Sequence, residues 1–217
     1  MPSKPLADPM LIPVILLAAG GSTRLGQPKQ LLRLPSFGGA TLLDHSVQQV
    51  QGAGAAPIFV ILGAHADDIL LDCALLDCIL IRNEAWAEGM ASSLRAGIAA
   101  VMENAPSAPG AMLLVCDQPG LSAEHLRCLL DAYAADPGRI AASKYAGRLG
   151  VPAIFPRASF PALLRLDGDQ GARALLRQAG VNIHAIDFPG GELDLDSPAD
   201  VERLKMNAAC ESSKNLS

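Results

Sequence analysis

The sequence predicts an α/β protein of three layers, a mainly parallel sheet covered by helices on both faces. Three observations predict it. Short apolar runs alternate with stretches of helical periodicity along most of the chain. Those runs are apolar at successive positions, as strands buried on both faces are, and do not alternate between apolar and polar. The 217 residues, half of them hydrophobic, form a chain long enough for one domain with a substantial core.

The elements follow in order. Pro13–Ala18, within "MLIPVILLAAG", reads as the first strand. With Lys4 ahead of it, the run has the outline of a signal peptide. Pro13 interrupts it, however, Asp8 precedes it, and cleavage after Ala19 would sever a glycine turn from its strand. A helix over Thr41–Gln51 leads to a strand at Ile58–Leu62, and a helix over Ala66–Asp72 leads to Cys78–Ile81. Helix Ala91–Met102 precedes strand Ala111–Cys116. Ser122 before "AEHL", with Glu124 in the first turn, starts a helix over Ala123–Ala134. Strand Arg139–Ser143 comes next, then helix Ala172–Ala179 and strand Ile183–Asp187. Ser197-Pro198 opens a last helix over Ala199–Met206, where proline suits the first helical position. The domain so drawn covers residues 11–207, between an N-terminal extension (1–10) and a polar tail (208–217).

Charge and cysteine usage narrow the function. The net charge is −5 and no run of Lys or Arg stands out, which argues against nucleic acid or an anionic membrane as partner. No segment reaches the roughly 20 apolar residues of a membrane span. Five cysteines, an odd number without a C-x-x-C pair, read as reduced thiols of a cytoplasmic protein. Cys73, Cys78, Cys116 and Cys128 are expected to pack, and Cys210 to be exposed. The four histidines are widely spaced and show no metal-ligand pattern.

In parallel sheets ligands collect beyond the carboxyl ends of strands, and three such ends carry chemistry here. After the first strand comes "LLAAGGSTRLGQPKQLL", Leu16 to Leu32. A glycine turn there lets backbone N–H groups converge on an anion. It is no Walker loop, since Gln27-Pro28 separates Gly26 from Lys29 and Gln30 follows the lysine; the G-x-G-x-x-G fingerprint is absent as well. After "AMLLVC" comes Asp117-Gln118-Pro119. Near the end comes "ELDLDSP", whose Asp194 and Asp196 would face one side of a strand. Asp117 either caps the helix that begins near Ser122, or makes a turn at Pro119, or holds a cation; Asp196 either caps the last helix or does the same. Taken with a phosphate-type loop, the two outline a divalent-metal site that brings a nucleotide to a second substrate.

These residues resemble the nucleotidyltransferases of the molybdenum-cofactor type, the MobA-like family, whose loop reads roughly L-A-[AG]-G-x-S-x-R-x-G-x-x-K. "VILGAHADDI", "NEAWAEGMASSLRAGI", "LLVCDQPGL", "DGDQGAR" and "LDLDSPADVERL" match further family segments in the same order. The resemblance implies a single Rossmann-like domain, similar to the nucleotide-diphospho-sugar transferases, and transfer of a nucleoside monophosphate to a phosphorylated acceptor with loss of pyrophosphate. It implies that Ala18, Ala19, Gly20 and Gly21 hold the nucleotide, with Ser93 and its neighbour Ser92 near the base. Arg24 and Lys29 would neutralise the phosphates, and Asp117 and Asp196 would hold Mg²⁺ with Asp194 behind them. Val151, Asp169 and Arg173 would shape the acceptor pocket, and the implied partners are a molybdoenzyme or a chaperone.

The Ala-Ala-Gly form of the loop is similar to the cytidylyl branch, which implies CTP, where the guanylyl branch reads Ala-Gly-Gly. One departure concerns the acceptor: the family commonly has Gly-His-Pro where this chain has Gly150-Val151-Pro152. A same-fold enzyme using GTP, or a sugar or polyol phosphate acceptor, is the alternative. A non-catalytic cofactor carrier is the alternative from another class.

Overall fold

Strand order and direction place the functional loops, and both follow from which runs can be buried on two faces. The computed structural model describes residues 11–204 apart from 179 and 181, so the expected extension, tail and Cys210 lie outside the described residues. The strands are β1 (Val14–Ala18), β2 (Ile58–Leu62), β3 (Cys78–Arg82), β4 (Gly110–Val115), β5 (Ile140–Tyr145), β6 (Arg148–Pro156) and β7 (Ile183–Asp187). They form one sheet of order β3-β2-β1-β4-β6-β5-β7. β1 pairs in parallel with β2 and β4, and β2 with β3; only β6 runs against its neighbours, between β4 and β5. β7 closes the far edge, parallel to β5.

Six of the strands fall where the sequence puts them, within a residue or two. β6 is the addition. It folds back on β5 through a two-residue turn, Ala146-Gly147, with φ of 47° and 72°, the left-handed pair that a tight hairpin needs. Its register with β5 shifts between Ala142 and Ser143, so Ala142 faces Ala153 and Ser143 faces Gly150. Val151 and Pro152 sit in that irregularity, where proline's missing N–H costs no ladder bond.

The helices are α1 (Leu42–Ala53), α2 (Ala66–Asp72), α3 (Met90–Asn104), α4 (Ala123–Ala135), α5 (Phe160–Leu163), α6 (Arg173–Gln178) and α7 (198–204). On one face of the sheet, Leu43, Val47 and Val50 of α1, Ile69 of α2 and Leu126, Leu129 and Tyr133 of α4 cover Val14, Leu16, Val60 and Leu114. On the other, Ala91, Leu94, Ile98 and Val101 of α3, with Phe160, Leu163 and Leu176, cover Ile15, Phe59, Ile61 and Leu113. Successive residues of β1 thus enter different cores, and three layers result. α3 lies unusually close to the sheet at Gly97, where a Cβ would overlap the Ile15 side chain. Among the described residues no helix is long and apolar enough to cross a membrane.

The starts expected at Ser122 and Ser197 act as read, and a third cap, at Thr41, was not anticipated. Thr41 and Asp44 form a capping box on α1, and Ser122 accepts from the His125 amide at 3.2 Å. The Ser197 hydroxyl accepts from the Asp200 amide at 3.4 Å and so caps α7, and the Asp200 carboxylate accepts in return from the Ser197 amide at 2.9 Å and hydroxyl at 2.6 Å. Cys116 is buried, and burial, followed by the charge of Asp117, pushes its thiol up to about 12. Cys128 corrects the expectation: it is exposed on α4 and does not pack.

His125 supplies a test of this packing. Its ring stacks on Phe188 at 4.2 Å, and its Nε2 lies 2.7 Å from the Ser143 hydroxyl. That hydroxyl donates to the Pro152 carbonyl at 2.6 Å, so His125 is the donor in the pair. Burial lowers the imidazole from 6.5 to about 4. Between those values the unfolded chain takes up a proton and the folded chain does not. The stabilisation is therefore complete above about pH 6.5 and is lost as pH falls toward 4. Denaturant midpoints at pH 7 and pH 5 check this: the wild type should lose more stability across the interval than His125→Gln does.

Candidate active site

The glycine loop leaves β1 at its carboxyl end, and a buried side chain shapes it. Gln30, fully buried, donates from Nε2 to the carbonyls of Ala18 at 2.8 Å and Gly20 at 3.0 Å. Ser22 adopts φ of 50°, and its hydroxyl accepts from the Lys29 amide at 3.1 Å, closing the loop on itself. A Cβ on Gly20 would meet nothing within 4 Å, so that face is open to a ligand. His65 Nε2 lies 3.2 Å from the Gly21 carbonyl and braces the turn from behind.

Lys29 brings the three strand-end motifs together. Its Nζ donates to Asp117 Oδ2 at 2.6 Å and to Asp196 Oδ1 at 2.9 Å. Arg24 reaches the other oxygen of Asp196 at 3.1 Å, with its side chain 78% exposed against 15% for Lys29. Burial alone would depress the lysine ammonium. The charge of Asp117 and the bonds from Asp117 and Asp196 outweigh it and raise the pKa above its ordinary value. Neither aspartate caps a helix, because the Ser122 and Ser197 hydroxyls do that. Asp117 lies two residues beyond the end of β4, and its backbone carbonyl accepts from the Leu195 amide at 3.1 Å, which holds the late segment against the strand end.

That late segment departs from expectation in one respect. Residues 193–196 form no strand. Their facing is nevertheless as expected, because Leu195 is buried with Leu25, Leu32 and Leu42 while Asp194 and Asp196 turn toward the site. Burial, then the charge of Asp117, raises Asp194 to about 6.

Two cavities meet here. One, about 530 Å³, is lined by Ala18, Ala19, Gly20, Gly21, Lys29, Trp86, Ser93 and Asp117. The second, about 680 Å³, is lined by Leu94, Val115, Val151, Asp169, Arg173, Asp194 and again Asp117. Both volumes suit small molecules. Asp117 and Asp169 belong to both walls. Arg173 is held by Tyr145, donating to its hydroxyl at 2.8 Å, and makes no ion pair with Asp169. Ser92 and Ser93 both accept from Asn83 Nδ2, at 2.9 and 3.0 Å, in the first turn of α3.

Sequence reasoning passed over four residues. Gln30 was visible only as a break in the Walker pattern. Gln118 donates to the carbonyls of Val151 at 3.2 Å and Gly191 at 2.8 Å, tying Val151 in the wall of the second cavity to the late segment. Trp86 and Met90 are both partly exposed in the wall of the first cavity, and Met90 lines the second as well.

A divalent metal fits this donor set. Among the described residues no cluster of three or more His, Cys, Asp or Glu side chains is arranged to hold an ion. Asp117 and Asp196 converge all the same, and Asp117 Oδ1 is buried without a partner. Magnesium is commonly held by one or two carboxylates together with substrate phosphates and water, and asks no more of the protein.

Comparison with known proteins agrees with the geometry. The MobA-like NTP transferase domain family matches residues 14–183. The chain is 33% identical to nicotine blue oxidoreductase of Paenarthrobacter nicotinovorans, over 88% of this chain and 94% of the relative. It is 31% identical to purine catabolism protein PucB of Bacillus subtilis, over 92% and 98%. Rv0371c from Mycobacterium tuberculosis H37Rv superposes with a TM-score of 0.78 at 32% identity, over 91% of this chain and 99% of that one. Its complex with manganese gives 0.71 at 30% identity, over 90% and 98%.

Proposed function

The chain belongs to the MobA-like NTP transferase family, and from that membership we propose that it transfers CMP from CTP to the phosphate of a molybdopterin-type acceptor, releasing pyrophosphate. The nucleotidyltransferase class comes with the family. The base, the acceptor, the metal as Mg²⁺ and the residue roles are our reading.

One observation carries the reading: two cavities of substrate size share Asp117, beside a lysine that faces two carboxylates. A transfer reaction needs two substrates to meet at one charged point, whereas a carrier needs one pocket and no means of stabilising a leaving group. The relatives' names differ, one an oxidoreductase and one a purine-catabolic protein, so likeness leaves the acceptor to the pocket.

In this reading the loop Ala18–Gly21 and Ser93 orient the nucleotide, and Arg24 forks onto the outer phosphates. An acceptor phosphate oxygen attacks the α-phosphorus. One P–O bond forms, the α–β anhydride bond breaks, and the electron pair leaves on pyrophosphate. Lys29 neutralises charge growing on the leaving oxygen. Mg²⁺ held by Asp117 and Asp196, as manganese is held by the Mycobacterium relative as a whole, would supply further neutralisation of the triphosphate. Asp169, Arg173 and Val151 shape the acceptor side. Pyrophosphate release from each nucleoside triphosphate, with and without molybdopterin, tests the proposal. Release that ignores molybdopterin but follows a sugar or polyol phosphate moves the chain to the alternative acceptor.

The base is the second expected outcome. Ala18 and Ala19 line the nucleotide cavity, and in this reading the second alanine leaves less room there than a glycine would. One methyl group discriminates by about 1–3 kcal/mol. CTP should therefore exceed GTP by at least about tenfold in kcat/KM. Equal CTP and GTP in one reaction settle it, and preferential use of GTP refutes it.

A further inference from the structure

The chain has a single tryptophan, Trp86, and it is 38% exposed at the mouth of the nucleotide cavity. Its stem is fixed. The Trp86 amide donates to the Asn83 carbonyl at 3.3 Å, and its own carbonyl accepts from Gly89 at 3.2 Å. Its Cβ fills the space over Gly63, where a second Cβ would come within 2.7 Å of it. The outer ring lies over the glycine loop, with Cζ3 and Cη2 at 3.5 and 3.8 Å from the position a Gly21 Cβ would take. The same ring lines the cavity with Ala18, Ala19, Gly20 and Ser93. Asn83 anchors this segment further by accepting from the Ala85 amide at 3.1 Å and donating to both serines.

An anchored aromatic ring with an open surface is a stacking platform whose ordering cost is already met. Polar groups for a base are few beside it: the Ser92 hydroxyl donates to the Gly89 carbonyl at 2.8 Å, and Asn83 occupies one acceptor site on each serine. We propose that Trp86 stacks on the nucleotide base and supplies most of the site's hold on it, the glycine loop and cations holding the triphosphate. This rests on the nucleotide reading above. Stacking tolerates any base, so Trp86 sets affinity and leaves the choice of base to the alanines.

Calorimetric titration of the full chain with CTP and with inorganic tripolyphosphate tests this in wild type, Trp86→Phe and Trp86→Leu. CTP should quench the fluorescence of the single tryptophan, and tripolyphosphate should not. Trp86→Phe should keep CTP affinity within about threefold, while Trp86→Leu loses about tenfold or more, the size of one base–aromatic stack. Tripolyphosphate affinity should be the same in all three. Equal losses for both ligands in Trp86→Leu would show that the ring only supports the loop, and an unchanged CTP affinity would place the base elsewhere. Either result overturns the stacking role and leaves the phosphate site standing. Failure of the wild type to bind CTP or tripolyphosphate at all would overturn the nucleotide reading itself.

Discussion

Asp117→Asn is expected to reduce pyrophosphate release to background while the fold survives. The side chain is 19% exposed and caps no helix, and asparagine keeps its volume, so little packing is lost. What is lost is a charge in the wall that both cavities share, on the carboxylate that pairs with Lys29. Lys29 retains Asp196 as a partner, which limits the penalty of an unmatched cation. Turnover at saturating Mg²⁺, beside the melting curve of the same sample, checks the expectation. Activity like that of the wild type in a well-folded variant would refute the metal assignment.

Lys29→Ala is expected to lower kcat by about 10²–10³, the size of losing one preorganised group at a developing charge. A rise confined to KM would instead make Lys29 a ground-state binder. The structure adds a second readout. Without the ammonium, Asp117 and Asp196 face one another with no shared counter-charge, so Mn²⁺ should bind the nucleotide-free variant more tightly than the wild type. Arg24, at 78% exposure and with a single carboxylate contact, is screened by water and should cost less when removed.

How much of this could be read from the sequence depends on how local each cause is. β1, its loop and the serine caps were legible because their causes lie within a few neighbouring residues. β6 was not, because Gly150 and Pro152 break the apolar run that marks a strand, and the irregularity that accommodates them exists only once β5 lies alongside. The facing of Asp194 and Asp196 was legible although no strand forms there: they stand on either side of Leu195, and Leu195 needs a core. Gln30 illustrates the opposite limit. A glutamine after a lysine announces nothing, and its role consists of two carbonyls that folding brings within reach. Cys128 was misplaced for a related reason, since a small apolar residue on an amphipathic helix fits either face.

Gly97 has a consequence for substrate discrimination. α3 rests directly on β1 there, with the Ile15 side chain where a Cβ would stand. The amino end of α3 carries Met90 and Ser93, and β1 runs out into Ala18 and the loop, so the helix and the strand each supply part of the wall of the proposed nucleotide cavity. The spacing of those two parts is therefore gauged about 10 Å away, the rise of seven helical residues, by a missing methyl group in the core. Two parts set by one close contact have little freedom to adjust separately. The site measures its ligand with a fixed jaw, and the tolerance of that jaw is machined into the hydrophobic interior, where no ligand reaches.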